Sequence, residues 1–278
     1  MSIAKLEQYG LLHVAGEDAR GFLHAQLTND IENLAPGAAR YAGWCSAKGR
    51  LLATFLVVPS PDGFLLQLSR DLVPGVAKRL SMFILRSKVK IADATGQWAQ
   101  VGLWGQGSGD PLSVSENGGS ITVRIDPDRS LVFAPEPSSS RYSPNASSGD
   151  WALAEIRAGR PLIAQSTQDQ FVPQMVNLDL AGGVDFRKGC YPGQEIVARA
   201  QYRGTVKRRM YRLRGGPLQP GQELYSDDTP GQASGIVVNA AGDESLAVLQ
   251  VSAIEAKSPI RAQPQAAALE VLPLPYSQ

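Results

Sequence analysis

The chain has little from which to build a metal centre or a disulfide: 2 cysteines and 2 histidines among 278 residues. Cys45 and Cys190 lie far apart and form no CxxC pair, and His13 and His24 stand at no ligand spacing. A zinc site is therefore not expected, and in a reducing compartment both thiols should be free. No apolar run approaches a membrane span, and Lys5, Glu7 and Gln8 interrupt the opening stretch where a signal peptide would need a hydrophobic region. The expectation is a cytoplasmic protein with no membrane partner. No GxGxxG or GxxxxGK[ST] pattern precedes a helix, which leaves dinucleotide and nucleotide binding by those routes unsupported. There is no internal repeat. Charged residues make up 19% and hydrophobic ones 43%, a balance that argues for a packed core, and the length admits two or three domains.

What the chain does have is one concentrated motif, Lys188-Gly189-Cys190-Tyr191-Pro192-Gly193-Gln194-Glu195. Pro192-Gly193 suits the central pair of a type II turn, because proline presets the first φ and glycine takes the positive φ of the second position. Such a turn can present Cys190 at the surface, where Arg187 and Lys188 favour its nucleophilic thiolate. The competing reading is a small buried hydrophobe, the usual role of a free cysteine. The motif leads into ARAQYRGTVKRRMYRLR. Arg199, Arg203, Lys207, Arg208, Arg209, Arg212 and Arg214 are basic there, with no acid between Glu195 and Glu223. With a net charge of only +1, this basicity is local. It is either a patch for an anion (phosphate, polycarboxylate or nucleic acid) or a strand face paired with acids elsewhere.

The remaining pattern reads as α+β. Residues 11–14 form a short strand and residues 51–58, bounded by Gly49 and Pro59, a buried one. Residues 64–68 pair after the Pro61-Asp62-Gly63 turn, and residues 88–91 and 121–125 alternate as strands. Asp18 and Asp71 are placed to cap helices, the second with Val73, Val76, Ala77, Leu80, Phe83 and Ile84 on one face. Residues 134–149 (APEPSSSRYSPNASSG) read as a linker or loop. Asp150 then caps a helix starting at Trp151, which Gly159 ends. From Lys207 onward, short strands at 209–213, 222–225, 235–239 and 246–251 suggest a small barrel. His13 and His24 have apolar neighbours that suggest a strand and a helix in the core, against a Ser-His-Asp site.

Residues 171–178 (FVPQMVNL), 182–195 (GGVDFRKGCYPGQE), Tyr202-Arg203-Gly204 and Lys207-Arg208 resemble the YgfZ family of folate-binding proteins. Residues 22–30 (FLHAQLTND) and 46–50 (SAKGR) resemble that family's opening segments. The likeness runs from Tyr9 to Leu213. The family is related to the glycine-cleavage T-protein, a tetrahydrofolate-dependent aminomethyltransferase. It is associated with assembly or repair of iron–sulfur proteins and, through it, with thiolated tRNA bases. The resemblance implies an α+β, T-protein-like ring of three domains with a small C-terminal β-barrel. The implied division is a discontinuous folate-binding domain (1–46 and 150–205), an inserted α+β domain (47–133), a linker (134–149) and the barrel (206–278). It also implies tetrahydrofolate or a derivative as ligand and iron–sulfur client proteins as partners.

A pterin needs flat apolar walls, a polar edge and a basic exit for its glutamyl tail. By the resemblance, Tyr9, where relatives carry tryptophan, and Trp151 are the walls. Trp151 alone would also read as a core residue at a helix start. Lys188, Arg199, Arg203, Gln194, Glu195 and Tyr202 make up the motif side of the site, with Cys190 and Lys188 as its reactive centre. Two departures separate the chain from T-protein chemistry. Leu51-Leu52-Ala53-Thr54 has no carboxylate where the T-protein has the aspartate that orients its substrate's amino group. Arg157 stands where T-proteins carry the glutamate that holds the pterin edge, a donor in place of an acceptor. Aminomethyl transfer is thus disfavoured, and whether the chain is an enzyme is open. The alternatives are a tetrahydrofolate-dependent one-carbon transferase and an RNA-binding module on the basic run. The second has only Tyr202 and Tyr211 as interleaved aromatics, so direct nucleic-acid binding is not expected.

Overall fold

The computed structural model describes residues 2–105, 109–136, 138–202, 206–229 and 231–277. β1 (Ser2–Lys5) opens the chain. The apolar run at 51–58 becomes β4 (Leu51–Ser60), flanked by β3 (Arg40–Cys45) and β5 (Gly63–Ser69). With β2 (Tyr9–Ala15) and β6 (Lys90–Asp93) they form an antiparallel sheet in the order β3-β4-β5-β2-β6. β4 is apolar at most positions because both its faces are covered. Leu56 and Val58 enter one core, Phe55 and Val57 the other, as alternation along a strand requires. α1 (Ala19–Gln26) and α2 (Val73–Ser81) cover the second core with Leu23, Val76 and Leu80.

β7 (Trp98–Trp104), β8 (Val114–Asn117), β9 (Ser120–Asp126) and β10 (Arg129–Pro135) join β1 in a second antiparallel sheet, β1-β7-β10-β9-β8. The two sheets share a core of Tyr9, Leu11 and Leu65 against Val123, Ile125, Leu131 and Phe133. After α3 (Ser148–Arg157) and α4 (Gln194–Tyr202) comes the barrel. Its strands are β11 (Arg208–Arg214), β12 (Glu223–Ser226), β13 (Ala233–Ala241), β14 (Glu244–Gln250), β15 (Ile260–Arg261) and β16 (Ala268–Leu272). α5 (Val251–Glu255) follows β14. The barrel closes in the order β11-β14-β13-β12-β15-β16 because β11 pairs with both β14 and β16. Leu213, Leu224, Val237 and Leu249 fill it, while Met210, Val238, Leu246 and Val248 pack into the core of the first sheet.

The α+β class and the C-terminal barrel are as the sequence leads one to expect. A division at 46/47 is not one the sheets follow: β3 pairs with β4 from Arg40 opposite Val57 to Cys45 opposite Leu51, so both sides of that boundary belong to one sheet. The 134–149 segment is not simply a loose linker. β10 runs through Pro135, the Asn145 and Ala146 N–H groups donate to Ile3 O, and Asn145 Oδ1 accepts from Ile3 N at 2.7 Å. Asp18 does not cap α1, because its Oδ2 accepts from Lys88 N. Asp71 accepts from Ser69 Oγ and Gln165 N, and α2 ends before Phe83 and Ile84. Ser147 is the N-cap of α3, with Asp150 as its reciprocal partner in a capping box.

Candidate functional site

The capping box fixes where α3 begins. Trp151 and Glu155, four residues apart, consequently share a face of the helix. Both line a cavity with Tyr9, Tyr41, Gln67 and Arg160. Trp151 is buried against Gly102 of β7, where a Cβ would come within 2.3 Å of the indole. Trp104 meets Trp151 edge-on with ring centroids 5.2 Å apart, and the Arg129 guanidinium lies 5.0 Å above the Trp151 ring.

A four-membered charge cluster backs this wall. Glu155 Oε1 accepts from Arg129 at 2.6 Å and from Arg160 at 2.9 Å. Asp126 Oδ2 takes the same two guanidiniums at 2.6 and 3.4 Å. Burial works against the Asp126 charge, yet Arg129 and Arg160 hold its carboxyl below the ordinary range. Among the described residues, Glu155 Oε2 accepts no hydrogen bond. Burial raises the Tyr9 and Tyr41 phenols, so both remain neutral donors. Asn239 of β13 fixes the chain behind the cavity, accepting from Leu162 N at 2.9 Å and donating to Leu162 O at 2.8 Å.

Cys190 belongs to a second feature. Gln194 N–H donates to Tyr191 O at 3.2 Å and Gly193 has a φ of +78°, the turn that Pro192-Gly193 favours. This turn stacks on the turn at residues 46–50. A Cβ on Gly193 would sit 2.5 Å from Ser46 O and 2.6 Å from Gly49 Cα. The SAKGR and KGCYPGQE segments are therefore one structural unit. Cys190 is exposed, while Cys45 is buried and burial pushes its thiol up to about 12. The Lys188 side chain is buried, and its Nζ donates to His24 O at 2.6 Å and Leu27 O at 2.9 Å. It thereby caps the last carbonyls of α1. It also lies 4.7 Å from the Tyr191 ring centroid. Burial lowers its pKa to about 8.

The structure thus brings Tyr9 and Trp151 together. Lys188, Cys190, Gln194, Glu195, Arg199 and Tyr202 do not line their cavity; they belong to the thiol turn and α4. Tyr202 is exposed and meets Phe186 edge-on at 6.2 Å. Arg203 lies outside the described residues. Arg157 turns to the barrel, where its Nε and guanidinium donate to Glu244 Oε1 at 3.0 and 2.9 Å. The carboxylate on the cavity wall is instead Glu155, which the sequence reading passed over. Its spacing of four from Trp151 was the signal. Tyr41 and Arg129 come from distant segments and carried none; Arg160 follows just past the end of α3. Within the basic run, Arg209 pairs with Asp179 at 2.8 Å, Arg212 with Glu244 at 2.7 Å and Arg214 with Glu270 at 2.5 Å. Those three are a strand's paired cations.

Residues 2–117 match the family described as GCVT N-terminal domain. An uncharacterized protein of Haemophilus influenzae is 31% identical over 98% of this chain and 97% of its own length. The tRNA-modifying protein YgfZ of Edwardsiella ictaluri is 30% identical over 100% of this chain and 93% of its own. That of Klebsiella pneumoniae is 28% identical over the same shares, 100% and 93%. Aminomethyltransferase T of the glycine cleavage system from Bartonella henselae shares the fold, with a TM-score of 0.76 over 99% of this chain and 85% of that one at 15% identity. With a T-protein fold and relatives alike over nearly their whole length, the chain belongs to the YgfZ family.

Proposed function

We propose that this protein binds a reduced folate, tetrahydrofolate or a derivative, in the Tyr9–Trp151 cavity. It uses Cys190 in the assembly or repair of iron–sulfur client proteins in the cytoplasm, and through them supports tRNA modification. The observation that carries the reading is the pairing of two aromatic walls with a half-buried carboxylate, Glu155, whose Oε2 accepts no protein hydrogen bond among the described residues. A pterin is flat and bears N–H donors on one edge. Tyr9 and Trp151 would hold its faces and Glu155 its donor edge, while Arg129 and Arg160 keep that carboxylate in place. Bound there, a reduced folate supplies a carrier of one-carbon units. Among the described residues no helix is long and apolar enough to cross a membrane.

Thermal melts test the ligand. Tetrahydrofolate should raise the melting temperature with concentration, as any ligand of the native state does by mass action. Gly102→Val, which drives a side chain into the Trp151 indole, should abolish that rise in protein that still folds. A melting temperature unchanged up to millimolar tetrahydrofolate would overturn the reading.

A further inference from the structure

The loop that follows α2 holds apolar side chains out in water. Met82 is 71% exposed, Leu85 91% and Phe83 43%. Leu85 also has a left-handed φ of +40°, a backbone region that residues other than glycine seldom occupy. A short chain of contacts ties this loop to the thiol turn. Phe83 meets Trp44 edge-on with ring centroids 6.4 Å apart. Trp44 forms a β-bridge with Leu27, and Leu27 O accepts from Lys188 Nζ at 2.9 Å, two residues before Cys190. On α4, Ile196 packs over the 46–50 turn, where a Cβ on Gly49 would come within 2.8 Å of it, and Tyr202 ends the same helix. Of the seven large hydrophobic side chains exposed among the described residues, these five therefore belong to segments around the thiol turn. Exposed hydrophobics scattered singly are ordinary, whereas a group of them beside an exposed thiol marks a binding surface.

The charge around these side chains is mostly of one sign. Lys78, Arg79 and Arg86 flank the loop, and Lys48 and Arg199 flank the thiol turn. All five are exposed, and among the described residues none forms an ion pair. Arg79 lies over the Trp44 ring, 5.9 Å from its centroid. The nearby acids are fewer and partly engaged: Asp71 accepts from Ser69 and Gln165, Glu17 pairs with Lys88, and Glu195 stands exposed on α4. We propose that this surface docks an acidic segment of a client protein, whose aliphatic side chains seat on Met82, Phe83 and Leu85 and whose carboxylates face the unpaired cations. Docking there brings the client to Cys190. The proposal rests on reading Cys190 as the group that acts on client proteins. Opposite charge guides the encounter and selects the partner, while the apolar side chains leave water on contact and hold it. RNA fits less well, because it binds on stacking aromatics and two of the three exposed loop side chains are Met82 and Leu85.

The test uses the full chain and a short fluorescein-labelled peptide in which leucine recurs every fourth residue among glutamates. Anisotropy reads its binding. Peptide mass spectrometry reads iodoacetamide alkylation of Cys190, with buried Cys45 as the internal unreactive site. The peptide should bind and slow alkylation of Cys190 several-fold, and the same peptide with lysine in place of glutamate should do neither. Met82→Ser combined with Leu85→Ser should leave the melting temperature in place and weaken binding at least about tenfold, as the loss of one leucine from a contact does. Arg79→Glu combined with Arg86→Glu should abolish binding, and it stands in should the first pair not fold. No binding at millimolar peptide, binding that leaves Cys190 alkylation unchanged, or equal binding of the lysine peptide would overturn the proposal. So would a preference for oligouridylate or for phosphatidylglycerol vesicles over the acidic peptide. The functional reading fails separately: if the peptide binds and shields Cys190 while Cys190→Ser complements a deletion strain fully, the docking surface stands and the proposed use of the thiol does not.

Discussion

Lys188 shows how one residue's environment fixes its chemistry. An ammonium withdrawn from water survives only with good acceptors, and the two free carbonyls at the end of α1 are such acceptors. Even so, burial lowers its pKa from the ordinary 10.5 to about 8. The unfolded chain therefore binds more protons than the native state between those two values, and in that window stability rises with pH. Comparison with Lys188→Met cancels the other titrating groups. The stability of wild type relative to that variant should grow from pH 8 to 10.5, read from urea midpoints at successive pH values. A difference that stays constant across this range would show that the amine is not desolvated in the native protein. Cys190 and Cys45 make the complementary contrast: the same side chain is exposed on a turn at one position and buried at the other, where burial, and after it the Asp169 carboxylate, suppresses the thiolate.

Among the elements, the two stacked turns depend most on a single residue type. Gly193 has a left-handed φ and no room for a Cβ against Ser46 O and Gly49. Gly193→Ala should therefore cost at least about 1 kcal/mol from backbone conformation alone, and more from the clash. The loss is measurable as a lower urea midpoint with unchanged slope, and a variant as stable as wild type would mean that the turns do not pack in solution. Pattern made many elements legible. The alternating and continuous apolar runs mark β2, β4, β5 and β9, the turn-separated strands mark the barrel, and Pro192-Gly193 marks its turn. Caps were read less well for a definite reason. Asp18 and Asp71 look like N-caps locally, but their carboxylates accept from Lys88 and Gln165, partners that only the tertiary fold supplies. The same holds for the boundary at 46/47, since a sequence shows a turn at Ser46-Ala47-Lys48-Gly49-Arg50 but not that the strands on either side pair with each other.

At the scale of the whole molecule, α3 is the joint. Its Trp151 and Glu155 face the cavity, its Arg157 reaches Glu244 of the barrel, and Tyr276 Oη donates to Gly159 O just past its end at 2.7 Å. Arg157 thus serves the joint between α3 and the barrel rather than the cavity. The carboxylate on the cavity wall, Glu155, stands two residues before it. The other departure from T-protein chemistry lies in β4, which reads Leu-Leu-Ala-Thr at residues 51–54. Leu52 and Ala53 lie buried within β4, where Ala53 stands opposite Trp44 of β3 and Leu52 O accepts from Gln168 Nε2 at 2.7 Å. A T-protein fold does not by itself carry T-protein activity, for function resides in sites rather than folds. The protein should show no aminomethyl transfer from a lipoyl carrier protein to tetrahydrofolate, assayed as methylenetetrahydrofolate formed, even where tetrahydrofolate raises its melting temperature. Turnover above that of a Cys190→Ala control would mean that another carboxylate, Glu155 foremost, has taken over the missing aspartate's role.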